Sequence, residues 1–475
     1  MPEEIKDSTP SPELGYTGLK TSNGTITEEF LPELQGSKAN QVYKQMKYND
    51  PIVGAILFAV EMTIRGVDWS VKPADHPKGQ EHADYLQTVM DDMEKPWTEV
   101  INDILSFLAY GFSVNELVYK KRLGPTMKDR RFKSDYSDGL WGWRKLPTRA
   151  QCTIKEWVFQ GDRVKQGTGR SVTVTRGDRS NVNDLKGFVQ TNPNTFTDKY
   201  IPRNKFMLFR TTSQLDNPQG HSLLRQAYRP WFFKTRLEEI EAIGIERDLA
   251  GLPMFWVPHQ YLSPDATPEQ RAAVESIKEI GTSIRKNQQG CIIFPNMYDE
   301  LGNKLFDVEL LGNSSGGGKN IATDTIIHRY GSQIAQSVLA DFILMGQQSV
   351  GSFALSENKV KLFFAAIGSY LDSISSVFNK EAVPKLWELN GFSPDSMPKI
   401  KHGEIEKHSL SELSEYFGKI LTDNGVQMDE ELDNWLRERV DAPAKGDAPY
   451  STPQEKINDK KIEAGIGIKE KTTDE

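Results

Sequence analysis

Apolar residues recur along the chain with a helical period in some stretches and alternate with polar ones in others, and the switches between the two mark out its elements. Residues 1 to about 37 show neither pattern, only scattered Pro, Ser, Thr, Gly and Glu, and the same holds from about 441 to the end (DAPAKGDAPYSTPQEKINDKK). Both tails are expected to be mobile or to take order from partners, because they hold too little apolar surface to offset the entropy of folding. The pattern becomes regular after Asn49 and Asp50, which are cap candidates. Pro51 then stands at a first helical position, where a missing N–H costs nothing, and opens a helix running to about Arg65. A short strand, VDWSVKP, precedes a helical pair over about 80–93 and 97–110, which Gly111 ends. FSVNELVYKKR alternates as a strand, and AQCTIKEWVF, SVTVTR, GFVQT and KFMLFRT are further strand-like pieces. The first half is therefore an α+β domain.

The second half is richer in helix. Residues 221–250 are strongly helical, with Pro230 either kinking the helix or starting a fresh one of about 21 residues and ~30 Å. Gly251 and Pro253 stop it, and a compact insert follows: strand MFWVP, helix PEQRAAVESIKEIGTSI, then strands GCIIFP and LFDVELLG. Helix resumes at about Thr323, where Ile327, Tyr330, Ile334 and Val338 line one face, and is expected to end near Gly346. After a loop without Lys or Arg, GQQSVGSFALSE, another helix carries Val360, Phe364, Ile367, Leu371, Ile374 and Phe378 on one stripe, and Gly391 closes it. A small helical pair over about 410–422 and 429–440 comes last, and no internal repeat is visible.

Composition narrows the classes. With 37% hydrophobic residues and a mean hydropathy of −0.54, either much of the surface is polar or long helices project from a modest core. The apolar stretch 51–64 is broken by Glu61 and falls short of the roughly 20 residues that cross a bilayer, so no membrane partner is expected. MPEEIKDSTPSPELG has no apolar core of a secretory signal, which implies synthesis in the cytoplasm. Cys152 and Cys291, far apart and without a histidine pair, read as reduced core residues. A net charge of −8 argues against a protein that grips nucleic acid through a basic surface.

Candidate chemistry is sparse. NSSGGGKN at 313–320 suggests a phosphate-cradling loop, but Asn313 stands where its leading glycine would be and Asn320 where the Mg²⁺-binding Ser or Thr would be; a flexible hairpin loop is the better reading. GTGR at 167–170 lacks a third glycine and reads as a turn. The seven histidines are scattered, with His402 and His408 in a polar stretch as surface residues. Glu116, in a half-apolar strand, is expected to pair with an Arg or Lys rather than act as a general base. Trp141 and Trp143 are expected to pack in a strand. No paired-carboxylate cluster for metal-assisted phosphodiester chemistry stands out. Neither catalytic residues, cofactor nor metal are expected, and the chain reads as no enzyme.

Five strings in order then carry a resemblance: NDPIVGAILFAVEMTIRGVDWSV, LAYGFSVNELVY, IPRNKFMLFR, PQGHSLLRQAYRPWFFKTRLEEIEAIGIERDLAGLPMF and TDTIIHRYGSQIAQSVLADFILMG. Over about residues 38–440 the chain resembles the bacteriophage portal proteins, their Mu-like branch in particular. The resemblance implies a helix-rich α+β portal fold of wing, stem, clip and crown, closing into a homo-oligomeric ring, typically a dodecamer, at the unique capsid vertex of the virion. Such a ring serves DNA packaging, head-tail joining and DNA ejection. Its partners would be double-stranded DNA passing without sequence specificity, the terminase motor, the head-to-tail adaptor and the major capsid protein.

On that frame residues 1–37 are a flexible arm, 38–220 the wing, 221–250 and 323–345 the stem helices, and 251–322 the clip. Residues 346–357 form the tunnel loop, 358–399 a wing helix, 400–440 the crown and 441–475 a flexible tail. Gln347, Gln348, Ser349, Val350 and Phe353 would lie near the duplex, in a loop that lacks the cations which grip phosphate. Twelve copies would carry about 96 net negative charges, and a channel that repels phosphate is one through which DNA slides. Arg225, Arg229, Arg236 and Arg247 share the first stem helix with Glu238, Glu239, Glu241 and Glu246, either as a solvated face or as contacts to a neighbouring subunit or capsid protein. Trp231, Phe232 and Phe233 serve core packing or anchor an interface. Two other readings stay open: a nucleic-acid-processing enzyme of the packaging apparatus, and a capsid or tail scaffold without DNA passage.

Overall fold

A computed structural model describes residues 17–167, 171–177, 184–250, 252–285, 307–311, 323–338 and 353–405. The chain divides into two compact units, Met1–Gly403 and Glu404–Glu475, and the described fold belongs to the first.

Its N-terminal part is more structured than the sequence pattern suggests. The arm expected over 1–37 holds a hairpin, Thr21–Ser22 with Thr25–Ile26, whose turn Asn23 and Gly24 take positive φ of 48° and 79°. Asn-Gly is the dipeptide such a two-residue turn favours. Ile26 and Leu34 are buried, so two apolar side chains suffice to hold this segment on the body. A helix Gly36–Asn49 follows, buried through Ala39, Tyr43 and Met46 at helical spacing.

Pro51–Arg65 forms the helix that the sequence places there. Asp50 caps it: its Oδ1 accepts from the backbone N–H groups of Ile52 (2.9 Å) and Val53 (3.0 Å), two donors a helix start otherwise leaves without partners. Val53, Ile56, Leu57, Val60 and Ile64 bury its inner face. Gly79–Asp91, Trp97–Ile104 and Ser106–Tyr110 are the next helices, and Gly111 ends the last with φ 90°. A Cβ there would stand 2.5 Å from Gln219 O, so only glycine fits.

FSVNELVYKKR is two strands, not one. Phe112–Glu116 pairs with Phe206–Arg210 and with Thr148–Arg149, whereas Val118–Lys121 pairs with Trp141–Lys145. The break falls at Leu117, whose side chain is buried and whose N–H donates to Lys205 O at 2.8 Å. A three-stranded antiparallel sheet sets Leu185–Thr191 between Ile154–Phe159 and Asp198–Pro202. Phe112, Trp157, Phe188, Phe206 and Leu208 join these sheets into one core. Trp143 is fully buried and Trp141 half-buried, as strand packing requires. Cys152 is exposed, contrary to the expected core position, and Cys291 lies outside the described residues.

The helix Phe353–Val377 continues through a π-helical turn, Phe378–Ala382, into Val383–Asn390, which Gly391 stops at φ 68°. Its buried stripe includes Phe363, Ile367, Leu371, Ile374 and Phe378; Phe364 and Val360, expected on that stripe, are half-buried. The extra residue of a π turn re-aims the side chains around it. Here it presents Glu381 to Arg203 and to the N–H of Leu208 (3.2 Å), while Asn379 brackets the backbone of Ile400, accepting its N–H (2.8 Å) and donating to its carbonyl (2.9 Å). One irregular turn thus clamps the strands Phe206–Arg210 and Lys399–His402. By length and composition alone Val360–Asn390 could cross a membrane, which the sequence reading did not anticipate. Its stripe lies against protein: the Phe378 ring is packed by Trp97 (4.8 Å), Phe209 (5.7 Å) and Trp143 (6.3 Å).

Candidate functional site

The region that the sequence marks as the stem begins later than residue 221. Ser222 caps a short 3₁₀ turn, Leu223–Arg225, and the helix proper is Tyr228–Ala250 with Pro230 in its first turn, so the proline starts a helix rather than kinking one. The strand Leu252–Trp256 follows and pairs with Asp307–Leu311, the helix Pro268–Arg285 lying between them in sequence. The helix expected from Thr323 is Thr323–Gln336; Ser337 and Val338 are in a turn, and its expected continuation from 339 lies outside the described residues. The GCIIFP strand, NSSGGGKN and the helical pair over 410–440 also lie outside them.

Three contacts fix Tyr228–Ala250 and Thr323–Gln336 to each other and to the body. Thr323 Oγ1 donates to Glu241 Oε1. The rings of Phe233 and Tyr330 stack at 6.0 Å and 24°. Gly331 faces Ile52 so closely that an added Cβ would come within 2.7 Å of its Cδ1. At the inner side of Tyr228–Ala250, Lys234 Nζ lies 2.8 Å from Asp50 Oδ2, with both side chains buried. The residue that caps Pro51–Arg65 therefore also anchors Tyr228–Ala250.

The opposite face is free. At 100° per residue, positions 232, 236, 239, 240 and 243 share an arc of about 100° turned away from Lys234 and Glu241. Phe232 is 39% exposed, Ile240 63% and Ile243 48%. Arg236 pairs with Glu239 at 3.1 Å along this face and sits over the Phe232 ring at 5.7 Å, while Arg229 sits over the Phe233 ring at 5.8 Å. An apolar ladder edged with paired charge is what a helix offers to another protein surface.

The sequence-predicted residues sort accordingly. Arg229, Arg236 and Glu239 lie on the helix, and the side chain of Arg247 lies outside the described residues. Arg225 is corrected: it sits in the preceding 3₁₀ turn and grips Glu29, Nη2 to Oε1 at 2.8 Å, so an internal partner takes its charge. Burial pushes the Glu29 carboxyl up, but Arg225 and the N–H groups of Leu31 and Phe30 hold it below the usual range. Gln347, Gln348, Ser349 and Val350 lie outside the described residues. Phe353 is corrected as a loop residue, since it begins Phe353–Val377; Ala354, Leu355 and Glu357 are helix formers.

Two further expectations concern chemistry. Glu116 accepts from Arg149 Nε at 2.9 Å, as a structural ion pair should. Near GTGR, Gly167 N–H donates to Ser171 O (3.3 Å) between the paired strands Arg163–Gln166 and Val172–Thr175, while 168–170 lie outside the described residues. Among the described residues no group of three His, Cys, Asp or Glu side chains could hold a metal. His402 is half-buried, with Nε2 at 3.1 Å from Asp372 Oδ1, and His408 lies outside the described residues. Lys234 and Phe232 carry more of the site than the sequence suggested; in KTRLEE nothing separates Lys234 from a surface lysine.

The family model described as portal protein of Mu bacteriophage matches residues 40–441. No curated protein sequence matches the chain. Among solved structures, it is similar to a chain in the neck of an empty GTA particle computed with C6 symmetry, at 10% identity and a TM-score of 0.45, covering 85% of this chain and 94% of that one. A chain in the neck of a native GTA particle computed with C12 symmetry is similar at 11% identity and 0.42, with coverages of 85% and 94%. One in the virion of a native gene transfer agent particle is similar at 10% and 0.45, again with 85% and 94%. Matched by that family model from residue 40 to residue 441, the chain belongs to the portal proteins of the Mu bacteriophage type and is a portal subunit.

Proposed function

We propose that copies of this chain close into a ring, twelve in number, at the unique vertex of a capsid, and that duplex DNA enters and leaves the particle through its bore. The free face of Tyr228–Ala250 carries this reading: Phe232, Ile240 and Ile243 stand exposed on one arc of a helix whose other side is already anchored to the body. Exposed apolar side chains aligned along a helix suit burial against a neighbouring copy. Family membership supports another portal subunit as that neighbour.

The net charge of −8 per chain supports passage rather than capture of the duplex, because a bore that repels phosphate lets DNA slide. In this reading the stem helices surround the bore, residues 346–352 reach toward the duplex, and the insert 251–322 meets first a terminase motor and then a head-to-tail adaptor. The wing faces the major capsid protein. The chain itself does no chemistry, and the motor supplies the work. An ATPase assay tests that part: turnover by the purified chain, abolished by Lys319→Ala, would make NSSGGGKN a nucleotide site and the protein an enzyme. For the ring, mass photometry of the purified chain is the test, with one species near twelve subunits expected and a persistent monomer contradicting it.

A further inference from the structure

The chain is acidic as a whole, yet its stretch 120–145 carries nine cations against three carboxylates. Backbone hydrogen bonds fold this stretch into a fixed arm between the strands Val118–Lys121 and Trp141–Lys145. Lys121 N–H donates to Arg131 O (3.1 Å), Leu123 N–H to Phe132 O (3.1 Å), Gly124 N–H to Tyr136 O (2.9 Å) and Gly139 N–H to Arg122 O (2.9 Å). Four of the cations are neutralised inside the chain: Lys120 by Asp92 (3.0 Å), Arg122 by Asp138 (3.0 Å), Arg131 by Asp129 (2.6 Å) and Arg144 by Glu94 (3.1 Å). Lys121, Lys128, Arg130, Lys133 and Lys145 form no ion pair among the described residues.

Three of these free cations, Arg130, Lys133 and Lys145, line one pocket of about 570 Å³. The carboxylate at its floor does not oppose them. Asp92 Oδ2 accepts from Ser134 Oγ (2.5 Å) beside Lys120 Nζ, and its Oδ1 accepts the N–H of Asp135 (3.1 Å). Glu94 on the wall is held by Arg144, which leaves Asp135 as the lining carboxylate without an ion pair among the described residues, against three cations. Met93 and Pro147 add apolar surface. Three cations that outnumber the one carboxylate left to face them in a concavity point to an anionic partner, since like charges at close quarters are otherwise unfavourable.

We propose that this pocket docks an acidic protein segment, a loop or tail with closely spaced Asp or Glu side chains. A recess of about 570 Å³ has room for a short peptide segment and not for a base-paired duplex. The walls of Met93 and Pro147 suit the carbon atoms of a peptide better than a sugar-phosphate chain. Carboxylates on an extended segment reach Arg130, Lys133 and Lys145 one at a time, and Arg130 binds a carboxylate through two parallel N–H groups.

Fluorescence anisotropy on the full chain tests this, with a labelled peptide of alternating Glu and Leu as probe and a labelled short DNA duplex beside it. The peptide is expected to bind at low salt and to bind about tenfold more weakly to the triple variant Arg130→Glu, Lys133→Glu, Lys145→Glu, each lost ion pair contributing up to about 1 kcal/mol. A charge-matched control at exposed sites elsewhere, Arg163→Glu, Lys165→Glu, Lys401→Glu, is expected to keep its affinity within about twofold. Circular dichroism of both variants, matching the parent, shows that folding is intact. Equal loss in the two variants, no peptide binding by the parent, or tighter binding of the duplex with loss only in the triple variant would each overturn the assignment.

Discussion

Lys234 on the helix Tyr228–Ala250 lies 2.8 Å from the Oδ2 of Asp50, whose other oxygen caps the helix Pro51–Arg65. One carboxylate thereby satisfies two backbone donors and neutralises a buried ammonium. Lys234→Ala leaves the Asp50 charge buried with only the cap, and a cost of about 3–5 kcal/mol is expected. Asp50→Asn retains an acceptor for the cap but not the charge, and is expected to destabilise less than Asp50→Ala by about 1 kcal/mol. Chemical denaturation of the three variants measures this; equal midpoints for Lys234→Ala and the parent would show that the pair does not hold Tyr228–Ala250 in place.

Glu29 and Arg225 give the N-terminal strap a pH dependence with a fixed sign. The folded carboxyl titrates below its unfolded value, so the pair stabilises the strap above the ordinary Glu range and loses that contribution as pH falls through the folded value. Both side chains are partly solvated, which limits the effect to about 1 kcal/mol. Limited proteolysis near Phe30 is expected to speed up in acid for the parent, and Glu29→Gln to be fast at all pH values.

Gly111 is expected to tolerate no side chain. With φ at 90° and a Cβ contact of 2.5 Å to Gln219 O, Gly111→Ala combines backbone strain with a collision. A loss of about 3 kcal/mol or more, read as a lower melting temperature, is expected.

Ile240→Glu with Ile243→Glu places charge on the free face of Tyr228–Ala250. Because both residues are exposed in the subunit, its own fold should hold while assembly fails. Sedimentation should show a smaller species with an unchanged circular dichroism spectrum.

Removing residues 346–352, ahead of the helix that begins at Phe353, is expected to leave assembly intact and to reduce DNA packaging. Normal packaging by that variant would remove the tunnel loop from the account.

Much of this fold is legible in the chain because local signals act where they stand. Asp50 and Pro51 announce a helix start, Gly111 and Gly391 announce stops, and a 3.6-residue period marks Phe353–Val377. Signals that depend on tertiary partners are not legible. Leu117 splits an alternating run only because Lys205 O meets its N–H, and which of the neighbours Phe363 and Phe364 is the more buried on Phe353–Val377 is decided by what packs against that helix. At the site, the aromatic run 231–233 and the arginines are visible, but Arg225 and Glu29 stand far apart in sequence, and so do Lys234 and Asp50. Such partners meet only in the folded chain. Asn23-Gly24 is the exception, a hairpin signal present in the sequence and hidden by its polar surroundings.

Negative-stain imaging of the purified chain, with two-dimensional averages of top and side views, tests the central claim most directly. Closed rings with an open centre and about twelve-fold symmetry, narrowing to a stalk in side view, are the result the account predicts. Separate monomers at every concentration and salt would contradict it.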